Sequence, residues 1–260
     1  MKKKAILSVS FGTNNKELES RSLGLLEEEY AGLLPSGKVY RAITNDAVIQ
    51  LANSKDGEAP VYAVRETLAR MVLDGVTHVY AQPAYLLHGV EYEELKDMVF
   101  SHKADFVEVK CGTPLLSTEE DLVKVAKALM EPYGELGDGQ AVCFVGHGSH
   151  HHTNAIYCAL DYCLKDLGYS NAHIATFNAY PQIDRVINHL KRDDVKQVCI
   201  APFMFLAGES AMEGVVGDGP SSMAWKLREA GFDVVPKGVC LGEQQSIRDI
   251  YVSHLAEIME

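Results

Sequence analysis

At 260 residues the chain has room for one large domain or two of ordinary size. Its 47% hydrophobic and 23% charged residues, with 21 Gly and 9 Pro, exclude a disordered, collagen-like or linker-dominated chain. A formal charge of −12 weighs against adhesion to nucleic acid or anionic membrane, so an acidic ligand has to be met by locally concentrated donors.

Short apolar or β-branched runs alternate along the chain with helix-length amphipathic segments. KAILSVSF reads as the first strand and ELESRSLGLLEEEYAGLL as the first helix. The strand KVYRAIT, the helix AVRETLARMVLDG, and the strands THVYAQPAY and FVEVKCG follow, then the helix EEDLVKVAKALMEPYG. The second half supplies the strands AVCFVG and NAHIATF, the helix IDRVINHLKRD, and the strands QVCIAPFMF and DVVPKGVC. Around Met223 and Trp225 a further helix packs in the second half, and SIRDIYVSHLAEIME closes the chain as a helix packed through Ile247, Ile250, Leu255 and Ile258. Strand–helix alternation of this kind predicts parallel β-α-β construction. The polar, glycine-rich GELGDGQ over 134–140 is the best internal break, which predicts lobes at 1–137 and 138–260. Cys143 and Cys199 sit inside apolar runs and no C-x-x-C pair occurs. The apolar run in MKKKAILSVSFG is too short for a signal-peptide core or a membrane span, and the expectation is a reduced, cytoplasmic, soluble protein.

The two halves resemble each other. GVTHVYAQPAYLLHG aligns with DVKQVCIAPFMFLAG 119 residues further on, matching Pro83 with Pro202 and Gly89 with Gly208. KAILSVSFGT aligns with QAVCFVGHGS at a spacing of 136, matching Gly12 with Gly148 and Phe11 with His147. Two ordered matches predict an α/β fold of two similar lobes, with parallel-dominated sheets facing across a cleft.

In doubly wound sheets ligands bind beyond the carboxyl ends of the strands. Four segments are expected there: Ser10-Phe11-Gly12-Thr13, His88-Gly89-Val90-Glu91, Gly146-His147-Gly148-Ser149 and Gly208-Glu209-Ser210. Their glycines permit close backbone approach, and the helix starts that follow offer N–H groups to anions. His147, after an apolar strand and between glycines, can bind a metal or move a proton. His150, His151 and His152 read equally well as the start of a helix. Tyr85 and Tyr92 are expected to line the cleft, with hydroxyls toward carboxylates of the ligand. No H-E-x-x-H, G-x-S-x-G, G-x-G-x-x-G or Walker motif occurs, so no nucleotide cofactor is expected.

The segments LSVSFGT, YRAIT, GVEYEEL, GTPLLS, VGHGSHHH, AYPQID, APFMFLAGESAMEG and GEQQSIRDIYVSHL occur in this order over nearly the whole chain. In them the chain resembles the anaerobic cobalt chelatases, the sirohydrochlorin cobaltochelatase family of the class II chelatases. The resemblance implies two Rossmann-like lobes around a tetrapyrrole cleft. It also implies insertion of a divalent metal, Co²⁺ first and Fe²⁺ or Ni²⁺ next, into a sirohydrochlorin-type ring for anaerobic cobalamin synthesis. The metal is then a substrate, no nucleic acid or membrane is a partner, and a homo-oligomer stays open. The family's metal path carries a His of the GHG motif, a Glu two residues before Tyr-Pro and a His after an AGD-type turn. Here His147 matches the first, while Asn178 and Ser210 stand at the other two positions. Glu209 or Glu213, or His88 with Glu91 from the equivalent turn, would complete a ligand set. The implied roles are catalysis by His147 and Glu91, metal binding by His147 and Glu209, and ring binding by Ser10, Phe11, Gly12, Thr13, Tyr85, His88, Tyr92 and Gly148. Arg41 and Arg185 are candidate partners for the ring's carboxylates. The alternative is a tetrapyrrole- or haem-binding carrier derived from a chelatase, with His88 and Met204 as conceivable axial ligands. A methionine in FMFL reads more readily as core.

Overall fold

A computed structural model describes residues 2–54 and 59–260. In chain order the elements are β1 (Lys4–Ser10), α1 (Lys16–Glu19), a π turn (Ser20–Gly24), α2 (Leu25–Leu33), β2 (Lys38–Ile43), α3 (Asp46–Asn53), α4 (Val64–Leu73), β3 (His78–Pro83), α5 (Val90–Ser101) and β4 (Glu108–Cys111). Next come α6 (Glu119–Met130), β5 (Gln140–Gly146), α7 (Ala155–Asp166), β6 (Ala172–Thr176), α8 (Ile183–Arg192), β7 (Gln197–Pro202), α9 (Glu209–Val216), α10 (Met223–Glu229), β8 (Asp233–Pro236) and α11 (Gln245–Met259).

The chain forms two compact units, Met1–Ser117 with Gln245–Glu260, and Thr118–Gln244. Each holds one four-stranded, wholly parallel sheet, ordered β2-β1-β3-β4 in unit 1 and β6-β5-β7-β8 in unit 2. Parallel strands need helical crossovers, so the central strands are covered on both faces and read as continuous apolar runs. In unit 1, Leu7, Val9, Leu68, Met71, Val79, Leu95 and Val99 pack into one buried cluster between the sheet and its helices. Each such side chain contributes about 1.5–3 kcal/mol of burial.

The internal repeat holds at the level of single hydrogen bonds. β3 and β7 both start and end 119 residues apart, as do the starts of α4 and α8 and of α5 and α9, while β1 and β5 are 136 apart. Ala84 N–H donates to Val9 O and Phe203 N–H to Val145 O, each at 2.7 Å. The two spacings differ because one connection grew. Twenty residues separate β2 from α4, whereas six separate β6 from α8, and the extra segment carries α3.

The boundary differs from the expected division at 137/138. Helix α6 packs on α7, and Tyr133 just beyond it sets its ring edge-on against Phe144 at 5.6 Å, so this helix belongs to unit 2. Helix α11 packs on β3 and α2, with Ile247, Ile250, Tyr251 and Leu255 buried, and belongs to unit 1. The last helix of each half of the chain thus belongs to the unit built on the other half, which a composition-based break cannot reveal. All six cysteines are free, and no described helix is long and apolar enough to cross a membrane.

Candidate functional site

The carboxyl ends of the central strands carry the candidate residues in both units. In unit 1, β1 ends at Ser10, Phe11 follows with 54% of its surface exposed, and Gly12 turns the chain at φ +84°. A Cβ on Gly12 would sit 2.6 Å from Ile43 Cγ2, so the turn runs close beneath β2. Thr13 is buried, and its hydroxyl accepts the Asn15 N–H at 3.2 Å. Asn15 in turn caps α1 by accepting the Leu18 N–H.

Unit 2 repeats this geometry with different chemistry. His147 follows β5, is exposed, and precedes Gly148 at φ +70°. A Cβ on Gly148 would lie 2.9 Å from the Ala179 backbone nitrogen, so only glycine lets these segments meet. His147 Nδ1 lies 2.9 Å from Gly148 O. A carbonyl only accepts, so Nδ1 carries the proton and the Nε2 lone pair is the ring's remaining acceptor. The same bond orients the imidazole, the usual device for presenting a His ligand. Phe177 stands edge-on to His147 at 6.3 Å, and Asn178 N–H donates to His147 O at 3.1 Å. Asn178, Glu209 and Ser210 are exposed, the last two in the first turn of α9 after its cap Gly208. His151 caps a short turn through Thr153, and Asn154 ties this turn to Ser149, so His151 serves the local fold.

Several expected ring contacts are otherwise engaged. Ser10 has its side chain buried, which sets its hydroxyl behind the strand end rather than on it. Tyr92 is 5% exposed and its hydroxyl donates to Gly112 O at 3.2 Å, so it packs the loop instead of meeting a ligand carboxylate; burial pushes its pKa up to about 12. Tyr85 is half-buried, its hydroxyl donates to Thr44 Oγ1 at 3.2 Å, and burial likewise pushes it up to about 12. Arg41 is clamped by Glu27 and Glu19 at 2.6 and 2.5 Å, so it does not serve as a carboxylate anchor. Met204 is core. Arg185 is exposed in the first turn of α8.

His88 is tied to the following loop. Ser117 Oγ donates its one hydrogen to Pro114 O at 2.6 Å and therefore accepts from His88 Nε2 at 2.8 Å. Burial, with Lys96 and His254 adding to it, lowers the His88 pKa and keeps the ring neutral. The ring stands edge-on to Tyr92 at 4.7 Å. Glu91 is exposed in the first turn of α5, where the helix dipole favours a carboxylate. Among the described residues no three His, Cys, Asp or Glu side chains are gathered as a metal site. What each unit offers by itself is a glycine-turned strand end, bearing an aromatic face in unit 1 and an oriented imidazole in unit 2. The sequence reading missed α3, which only comparison of the two β-strand-to-helix connections brings out.

Comparison with known proteins adds to this geometry. The family described as cobalt chelatase (CbiK) matches residues 4–260. A sirohydrochlorin cobaltochelatase of Salmonella typhimurium is 30% identical over 260 residues, spanning 99% of this chain and 97% of that protein. Sirohydrochlorin cobaltochelatase CbiKC of Nitratidesulfovibrio vulgaris is also 30% identical, over 98% of this chain and 90% of its own. Among solved structures, SirB from Bacillus subtilis with Fe³⁺ superposes with a TM-score of 0.68 at 16% identity, covering 98% of this chain and 95% of that one. The sirohydrochlorin chelatase SirB from Bacillus subtilis subspecies spizizenii in complex with cobalt gives 0.64 at 13% identity, covering 98% and 94%. These structural likenesses bear on the fold.

Proposed function

This chain belongs to the cobalt chelatase (CbiK) family, and from that premise we propose that it inserts a divalent metal ion, Co²⁺ foremost, into a sirohydrochlorin-type tetrapyrrole. The observation that carries the reading on this chain's own residues is His147, exposed at the end of β5 with Nδ1 held by Gly148 O. Nε2 then takes the metal or a pyrrole proton, as the reaction requires of one neutral imidazole. A divalent ion sheds water, enters the ring and displaces two N–H protons. A weak, open ligand set suits a metal that must leave again. Asn178 and Ser210 offer neutral oxygens and Glu209 a carboxylate, harder donors that hold Co²⁺ more weakly than a full set of imidazole nitrogens would. Phe11 supplies a flat apolar face for the macrocycle. Exposed Arg185 supplies a charge for one of its carboxylates. Glu91 is proposed as the proton acceptor of unit 1, and His88 as a neutral wall beside it.

The test is anaerobic incubation of the protein with sirohydrochlorin and Co²⁺, Fe²⁺ or Ni²⁺, following the visible spectrum. A shift to the metallated ring faster than in protein-free buffer is expected. Spectra of bound but unmetallated ring would sink the enzyme reading in favour of a carrier. The double change Asn178→Glu with Ser210→His is expected to tighten Co²⁺ binding by roughly tenfold or more in titration calorimetry, since it adds an anionic and a nitrogen donor.

A further inference from the structure

Between the unit 1 sheet and helices α2 and α11 lies a layer with an unusual chemistry. Ser8 is paired in register with Gln82 across β1 and β3, and Ser10 follows two residues on, so all three point to one face. Ser8, Ser10, Gln82 and Tyr30 are each no more than 1% exposed. Yet Ser8 Oγ, Ser10 Oγ, Gln82 Oε1 and Tyr30 OH have no protein hydrogen-bond partner, nor does the buried Oε2 of Glu29. Glu29 reaches the rim of the layer, where its side chain is 25% exposed and Oε1 takes the Arg248 Nε–H at 2.9 Å. Gln82 Nε2 and His254 Nδ1 both turn to Thr113 O, at 2.8 and 3.3 Å, bordering the same layer.

The internal repeat supplies the control. The positions equivalent to Ser8, Ser10 and Gln82 are Phe144, Gly146 and Ala201, with Phe144 and Ala201 again paired in register. There Tyr157 fills the space over Gly146, where a Cβ would lie 2.5 Å from its ring. Among the described residues every other unpartnered buried side-chain atom is one, on Gln244 at the end of unit 2. One backbone therefore accepts a filling of Phe144, Ala201 and the Tyr157 ring, whose hydroxyl takes the Gly148 N–H at 3.4 Å, and unit 1 carries unpartnered hydroxyls and an amide oxygen instead. Leaving such groups dry costs free energy for each, so an accumulation of five in one layer calls for a ligand of matching chemistry. Neutral hydroxyl and amide atoms ending at one carboxylate match water.

We propose that this layer holds a line of ordered water running from Ser10, behind the ligand end of β1, to Glu29 at the rim, and that it carries away protons released from the macrocycle. The proton part rests on the chelatase reading above. As each metal–nitrogen bond forms, a pyrrole N–H bond breaks, its electron pair stays on nitrogen, and the proton passes through water to bulk solvent past Glu29. Ser10 stands beside the reaction as a positioning residue. Its carbonyl accepts the Thr44 N–H at 3.0 Å, and Thr44 Oγ1 takes the Tyr85 hydroxyl.

Three measurements decide it. A high-resolution crystal structure of the full chain is expected to show ordered water on Ser8 Oγ, Ser10 Oγ and Gln82 Oε1. In Ser8→Ala/Ser10→Ala and, separately, Tyr30→Phe, the thermal midpoint is expected to stay level or fall, because water ligands are lost. Dry atoms in the crystal structure, or a raised midpoint in the variants, would overturn the hydrated layer. The Ser8→Ala/Ser10→Ala protein is expected to insert Co²⁺ roughly tenfold more slowly, at the low side of what proton-transfer groups supply, with an enlarged solvent deuterium effect and unchanged sirohydrochlorin affinity. An unchanged rate and isotope effect would overturn the proton path. If the unaltered protein metallates nothing, the chelatase reading fails and the proton path with it, while the crystallographic waters still decide the layer.

Discussion

The two units share a backbone and differ where chemistry is done. Strand for strand, β1 and β3 of unit 1 repeat as β5 and β7 of unit 2, down to the turn after the first strand, where Gly12 and Gly148 both take positive φ. At the residue before that glycine, unit 1 has Phe11 and unit 2 has His147. Duplication thus preserved the part that any ligand end of a parallel sheet needs, a close-approaching backbone. It left free the one side chain that such a turn presents. Unit 1 has the α3 segment and the unpartnered polar layer behind its sheet; unit 2 has a short connection and a filling whose Tyr157 hydroxyl is hydrogen-bonded.

Changing the presented side chain is the strongest way to break this contrast. His147→Ala is expected to lower metal insertion by about 10²–10⁴-fold, the range for loss of a proton-transfer group, in the spectral assay. Because His147 is exposed, the change should move stability by no more than about 0.5 kcal/mol in a urea titration.

Acid separates the units next. His173 in β6 is buried, and desolvation lowers its pKa from 6.5 to about 4. The unfolded chain takes up this proton first, so the stability that the neutral ring allows is present above about pH 6.5 and lost as pH falls toward 4, a loss of roughly 3 kcal/mol. The repeat-equivalent position in β2 is Tyr40, whose pKa is raised by burial and by Asp74 and which stays neutral throughout that range. Amide exchange corrected for intrinsic rates is expected to accelerate in β6 and not in β2 between these pH values. His173→Gln should flatten the β6 response.

The shared glycines should respond unequally. Both substitutions to alanine force a side chain into the left-handed region, costing about 1 kcal/mol or more. Gly148→Ala meets the Ala179 backbone, whereas Gly12→Ala meets the side chains of Ile43 and Val48, which can shift. Thermal unfolding is expected to report a loss of about 3 kcal/mol for the first and about 2 kcal/mol for the second. Equal losses would mean that the turns are not set by their neighbours as described. The smallest effect is at the apolar counterpart: Phe11→Ala should weaken sirohydrochlorin binding by roughly tenfold with the insertion rate at saturation kept, as loss of one aromatic contact predicts.

Much of this architecture was legible in the chain itself. All eight strands were readable from their apolar or β-branched runs; the central β1, β3 and β5, buried on both faces, leave a continuous signature, and the edge strands β4 and β8 a weaker one. The repeat was legible because Pro83/Pro202 end equivalent strands, Gly89/Gly208 precede equivalent helices and Gly12/Gly148 stand at turns of positive φ. The position of His147 followed from the same marks. Helix α3 was not read from the chain: its apolar residues Val48, Ile49 and Ala52 are only half-buried, and eight residues make too short a stripe to stand out. Tyr92 and Arg41 were misread as ligand contacts because a side chain's type does not reveal its partner. Gly112 O and the Glu27 and Glu19 carboxylates reach them from 20, 14 and 22 residues away.

Periodicity and turn residues, which act through neighbours a few positions apart, determined the class of fold, its duplication and the strand end that carries the imidazole. Tertiary structure alone decided which last helix completes which unit, which hydroxyls are spent on backbone carbonyls, and where Ser8, Ser10 and Gln82 stand together without partners. Those outcomes depend on contacts between residues far apart in the chain, and a hydrogen bond or a buried orphan exists only once both sides have been brought together.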